Sequence, residues 1–204
     1  MNLSVKERSI ARIADNAQTL DAIREENVSI AIWERPILSS LLGLKLDNIV
    51  DTRFMVDIDD LPDTLSEAMD GAGHERGAVR DLLHADILML ANRFADIMQS
   101  DYVEIRLKHV TTNACKKFHS DYVSARLITT YLGQGTQWLD SGDMANSCDP
   151  EVIQQMQAGD VALLKGKIWS EDTPAIHRSP PIESTNEGRL MLVINPGQRT
   201  NDGL

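Results

Sequence analysis

At 204 residues, 42% hydrophobic and 25% charged, the chain can bury a sizeable core and suits one domain over 1–204 rather than two. A formal net charge of −11 argues against nucleic acid as the main partner, because affinity for a phosphate backbone rests on clustered lysine and arginine. The first residues carry charges where a secretory leader needs an apolar core. No run approaches the roughly 20 apolar residues of a membrane span either, so a cytoplasmic protein without a membrane partner is expected.

A polar amphipathic helix is predicted over 5–26, then a strand over 28–33 that Glu34-Arg35-Pro36 stops. Residues 53–58 read as another strand, Asp59-Asp60-Leu61-Pro62 as a turn into a short helix, and 71–77 as a loop. From 78 to 99, Val79, Leu82, Leu83, Ile87, Leu90, Phe94 and Ile97 recur three to four apart, which predicts a long helix with one apolar face. Strand-like runs follow at 103–110, 126–132, 161–164 and 190–194, separated by Gly133-Gln134-Gly135, Asp149-Pro150, Gly159-Asp160, Pro174, Pro180-Pro181 and Gly188. The expected fold class is α+β. A mainly helical part over 1–100, with one or two strands, packs on a double-stranded β-helix, a jelly roll of the cupin kind, over 101–197.

The chemistry concentrates in Lys117-Phe118-His119-Ser120-Asp121 and in His177. Two imidazoles and a carboxylate are the ligand set that holds iron(II) in non-haem oxygenases with coordination positions left open. His-x-Asp occurs a second time, at His84 and Asp86, but inside the predicted helix, where residues two apart diverge. His119 and Asp121 lie between two predicted strands, in a stretch without helical period, and can converge on one ion. Arg106, Lys108, Lys116, Lys117 and Arg126 surround the motif; they either draw in an anionic substrate or cosubstrate, or guard a solvated strand edge.

His109 falls in phase with Ile105 and Leu107 and reads as a core histidine rather than a fourth ligand. His74, beside Glu75, reads as a loop histidine with no nameable partner. Trp138 and Trp169 suit a substrate pocket or plain packing at a barrel mouth. Cys115 and Cys148 form neither a disulfide framework nor a Cys-x-x-Cys site, and Cys115 reads as a partly buried free thiol.

The stretch from His119-Ser-Asp121 through Arg126-Leu-Ile-Thr129-Thr-Tyr131-Leu to Gly135-Thr136-Gln-Trp138, with Gly159-Asp160, His177 and Gly188-Arg189-Leu downstream, resembles the core of prolyl-hydroxylase-like oxygenases. That resemblance implies iron(II) on His119, Asp121 and His177, and 2-oxoglutarate anchored by Arg189 with Tyr131 and Thr129 nearby. Arg189 suits a carboxylate because its planar fork binds one bidentately. Arg178 competes for the role, yet on a strand it points away from the side His177 faces. It also implies decarboxylation of 2-oxoglutarate to succinate and hydroxylation of a small-molecule or protein substrate that the sequence does not name.

A likeness that spans nearly the whole chain lies in Ile32-Trp33-Glu34-Arg35, Lys117-Phe118-His119-x-Asp121 and Ile176-His177-Arg178-Ser179-Pro180-Pro181. These look like an uncharacterised bacterial family, domain of unknown function 1826, whose name carries no activity. Two alternatives to the oxygenase therefore stand: a zinc enzyme of the hydrolase type using the same three ligands and a water, and a noncatalytic metal-binding or metal-homeostasis protein. A homodimer is compatible with the acidic surface.

Overall fold

The computed structural model describes residues 9–46, 49–140, 150–182 and 188–198. Cys148 lies outside them. Among the described residues, ten strands and two α-helices follow one another as β1 (Ala11–Ala14), β2 (Ile30–Trp33), β3 (Thr52–Asp57), α1 (Leu61–Gly71), α2 (Ala78–Met98), β4 (Tyr102–Val110), β5 (Ala125–Leu132), β6 (Gln137–Trp138), β7 (Gln154–Gln155), β8 (Val161–Lys165), β9 (His177–Arg178) and β10 (Arg189–Pro196). Seven strands form one sheet in the order β1-β2-β8-β5-β10-β4-β3, antiparallel except for β1 beside β2; β7-β6-β9 form a small antiparallel sheet.

The central strands β8, β5 and β10 are buried on both faces, and β8 and β10 read as nearly continuous apolar runs. Alternation divides them between two cores. Leu190, Leu192 and Ile194 of β10, Leu127 and Tyr131 of β5, and Ile105 and Leu107 of β4 join the core beneath the helices. Met191 and Val193 of β10, Ile128 of β5 and Leu164 of β8 face the other way and pack with Trp138, Met156 and Ala175 around the small sheet. The helices cover the first face: Leu61, Leu65 and Met69 of α1, and Leu83, Ile87, Leu90, Phe94 and Ile97 of α2, are all buried. Pro62 sits in the first turn of α1, where its missing N–H costs nothing. Gln99 ends α2 in a left-handed conformation.

The N-terminal segment departs from expectation. Residues 5–8 of the expected helix over 5–26 lie outside the described residues; in the rest, Ala11–Ala14 adds an edge strand alongside β2, and Ala17–Arg24 is a 3₁₀-helix. Ala17, Leu20 and Ile23 are spaced three apart, the interval at which side chains of a 3₁₀-helix eclipse, and Leu20 and Ile23 are buried. The first hundred residues thus contribute three strands to the large sheet, two at one edge and one at the other. No helix among the described residues is long and apolar enough to cross a membrane.

A candidate metal centre between the two sheets

His177 lies on β9 and His119 on the connection between β4 and β5, and the backbone brings them together. His119 N donates to His177 O at 3.0 Å and His177 N to His119 O at 2.9 Å, an isolated antiparallel bridge that sets the rings 4.7 Å apart. Two residues on, Asp121 is fixed by the turn after β8: Lys167 N donates to Asp121 O at 2.9 Å, and Gly166 N to Ser124 O at 2.8 Å. Gly166 makes this approach possible, because a Cβ there would lie 2.1 Å from Val123 O.

The three side chains converge. His177 Nε2 is 3.3 Å from Asp121 Oδ2 and His119 Nε2 is 3.9 Å from Asp121 Oδ1, and one ligand atom from each residue falls within 4.8 Å of the others. Donors at right angles, each about 2.1 Å from one cation, would be separated by about 3 Å, so small side-chain adjustments close the triangle. Two further observations fit a cation. Asp121 Oδ2 is buried and accepts no aligned hydrogen bond, although Arg126 Nη1 stands 2.6 Å away. The other nitrogen of His119, Nδ1, lies 2.9 Å from Lys117 O, which fixes the tautomer and leaves Nε2 free as a ligand. His177 Nδ1 has no such acceptor among the described residues.

Burial opposes ionisation of Asp121, but His177, Arg126 and His119 outweigh it and hold the carboxyl below the usual range. Arg126 is in turn held by Asn195, whose Oδ1 accepts from its Nε at 2.9 Å; Asn195 Nδ2 donates to buried Glu104 at 2.7 Å.

A cavity of about 110 Å³ opens beside the histidines. Ile128, Met191 and Val193 give it an apolar wall, Thr136 and Ser179 a polar one, and Arg106, Lys108 and Arg126 a basic one. Arg189 stands directly behind Ser179. It is fully buried, donating Nε to Gln134 O at 2.6 Å, Nη1 to Ser179 Oγ at 2.9 Å and Nη2 to Thr130 Oγ1 at 3.2 Å. No carboxylate among the described residues neutralises it, and burial pushes its pKa down to about 10.

Tyr131 and Thr129 require correction. They occupy the opposite face of β5 from Arg126, Ile128 and Thr130, toward the helices. The Tyr131 hydroxyl donates to Asp86 Oδ2 at 2.8 Å; its own ionisation is pushed far up, first by burial and then by Asp86. Thr130 is the residue of this strand that reaches Arg189. Tyr131→Phe should therefore cost about 1 kcal/mol of stability in urea unfolding and leave affinity for metal and 2-oxoglutarate unchanged; a change in either affinity would place the hydroxyl in the site after all.

The other histidines stay apart. His84 Nε2 meets Pro62 O at 3.0 Å while Asp86 turns inward to Arg35, the divergence expected on a helix. His109 is in phase with Ile105 and Leu107, and that face of β4 belongs to the helix side, away from the cavity. His74 is buried with neither ring nitrogen partnered, its pKa lowered by burial and by Arg80. Arg178 lies over Phe118, 4.3 Å from the ring centroid, and donates to Gln137 Oε1 at 2.7 Å. Trp138 is core, whereas Trp169 is partly exposed beneath Lys165. Cys115 is exposed at the cavity wall, not partly buried. Sequence reasoning gave no role to Thr130, Ser179 or Gly166, and left Arg126 as one cation among five. The parity of β5 held a usable signal, since a charged Arg126 cannot face the helix layer and Thr130 shares its side.

Fold and site together define a mixed α+β protein with a large, mainly antiparallel sheet and a His-His-Asp cluster suited to a metal ion. The chain belongs to the family described as Protein of unknown function (DUF1826), whose model matches residues 14–195. No relative is found among the curated proteins. Among solved structures, a prolyl-4-hydroxylase from Pseudomonas putida is similar at 11% identity and a TM-score of 0.46, over 89% of this chain and 98% of that one. A dioxygenase for auxin oxidation from Arabidopsis thaliana, in a complex with 2-oxoglutarate, is similar at 13% identity and a TM-score of 0.41, over 79% of this chain and 68% of that one.

Proposed function

We propose that this protein is a non-haem iron(II) oxygenase that consumes 2-oxoglutarate, with the two packed sheets forming a double-stranded β-helix. One observation carries the reading: a fully buried arginine without a carboxylate among the described residues backs onto the wall of the cavity that the His119–Asp121–His177 cluster also reaches. A buried, uncompensated guanidinium is expensive, and an anionic ligand is the economical remedy. Of its five N–H groups three are engaged, leaving one on each terminal nitrogen for a carboxylate.

Iron(II) at the cluster would supply open coordination positions for a chelating 2-oxo acid and for dioxygen. The chain's own residues do the rest. Arg126 and both histidines keep Asp121 anionic, Lys117 O sets the His119 tautomer, and Thr130 and Ser179 aim the Arg189 fork. Ile128, Met191 and Val193 keep one wall of the cavity free of polar groups, so that it sheds water.

The test is an anaerobic titration of iron(II)-loaded protein with 2-oxoglutarate, following the weak visible charge-transfer band of the chelate. The band should form in the wild type and weaken in Arg189→Ala. Absence of the band from a protein that binds zinc tightly would move the assignment to a zinc enzyme or a metal-handling protein.

A further inference from the structure

Resting on that reading of the cavity, we infer that the substrate is itself a small organic anion, its carboxylate or phosphate held by Lys108 and Arg106. Both lie on the cavity-facing side of β4, two residues apart, with Met191 of β10 opposite Lys108 and Arg53 of β3 opposite Arg106. The carboxylates behind this wall are already matched. Glu104 receives Arg53 Nε at 2.6 Å, Arg106 Nη2 at 2.7 Å and Asn195 Nδ2 at 2.7 Å, and Asp121 pairs with Arg126. Lys108 has no carboxylate among the described residues within ion-pair distance, and Arg106 commits only Nε and Nη2 to Glu104. Asp51, which precedes β3, spends an oxygen on the backbone N–H of His109 at 2.8 Å.

A lysine without a carboxylate beside an arginine that shares its own, in a chain of net charge −11, needs a reason. The cosubstrate does not supply it: a divalent ion and doubly negative 2-oxoglutarate cancel one another, and Arg189 takes the distal carboxylate in the reading above. The positive excess at β4 remains for a second anion, and low-dielectric walls focus its field into the opening. About 110 Å³ admits a small molecule or one side group.

Calorimetric titration of protein loaded with manganese(II) and 2-oxoglutarate tests this, with phenylacetate and phenyl phosphate as probes and phenylacetamide as their uncharged counterpart. Both anions, or one of them, should bind at least about tenfold more tightly than the amide, and whichever is stronger separates carboxylate from phosphate. Lys108→Ala should bring anion affinity down to the level of the amide while 2-oxoglutarate still binds; Lys108→Arg should restore it. Equal binding of amide and anions, or unchanged anion affinity in Lys108→Ala, overturns the proposal. So does loss of 2-oxoglutarate binding in Lys108→Ala but not in Arg189→Ala, which would make Lys108 the cosubstrate anchor. Lys108-dependent anion binding to metal-loaded protein that never takes up 2-oxoglutarate would keep the anion site and remove the oxygenase reading instead.

Discussion

His177→Ala should lower affinity for manganese(II) or zinc(II) by at least about 100-fold, because it deletes one of the three candidate ligands among the described residues, a larger loss than the 10- to 100-fold typical of an outer-shell partner. The variant should still fold. The two bonds that tie residue 177 to His119 are backbone bonds, and the register of β9 with Trp138 is likewise independent of the imidazole. Removing the ring leaves space beside Asp121, where Arg126 can move into full hydrogen-bond alignment with the carboxylate, so thermal stability without metal should barely change. His119→Ala should behave the same way. His84→Ala provides the contrast: it belongs to the other His-x-Asp pair, has its Nε2 3.0 Å from Pro62 O, and should leave metal content untouched. Metal retained after dialysis, measured for all three variants, decides the matter; full retention in both His119→Ala and His177→Ala would dismiss the cluster.

Much of this site was legible because two histidines were distinguishable by backbone. His84 sits in a run with a 3.6-residue period, so its Asp86 had to diverge; His119 sits outside any period, and its Asp121 did not. The strands β4, β5, β8 and β10 begin and end within two residues of expectation, since β8 and β10 are nearly continuous apolar runs and β4 and β5 keep an apolar residue at least every second position over most of their length. Two kinds of information were missing. The two-residue strands β6, β7 and β9 are too short to have a period, so the small sheet that lifts His177 over the large one leaves no local trace. Which face of β5 meets the cavity is a property of the tertiary layers. Reading Thr129 and Tyr131 as site residues put the strand on the wrong parity, although Arg126 pointed to the right one. At the N-terminus, an apolar spacing of three over 17–23 suits a 3₁₀-helix rather than the amphipathic helix expected, and edge pairing with β2 claims part of the segment.

Asp86→Ala should be the most destabilising substitution on the helix side, costing about 3–5 kcal/mol. The carboxylate holds Arg35 bidentately, Oδ1 to Nη1 at 2.6 Å and Oδ2 to Nη2 at 2.9 Å, and also accepts the Tyr131 hydroxyl. Both partners of the ion pair are only 7% exposed, so alanine would strand a guanidinium that keeps one other hydrogen bond, from Nε to Gly159 O, and the face of Trp33 at 5.3 Å. Against a total stability of the order of 5–15 kcal/mol, such a loss should lower the urea midpoint severely. The origin of the penalty is the orphaned charge rather than the missing contact, and a second variant separates the two. Arg35→Met combined with Asp86→Leu removes both charges and should recover most of the loss, since replacing a whole buried pair by apolar groups is often neutral. A single Asp86→Ala that costs under about 1 kcal/mol would mean that Arg35 reaches water, and the network would then be a surface pair worth little. Metal affinity of the folded fraction should be the same in all these variants, because α2 and the cavity lie on opposite faces of the large sheet. A linked fall in metal affinity would instead show that the Arg35–Asp86–Tyr131 network sets the position of β5, and through Arg126 the position of Asp121.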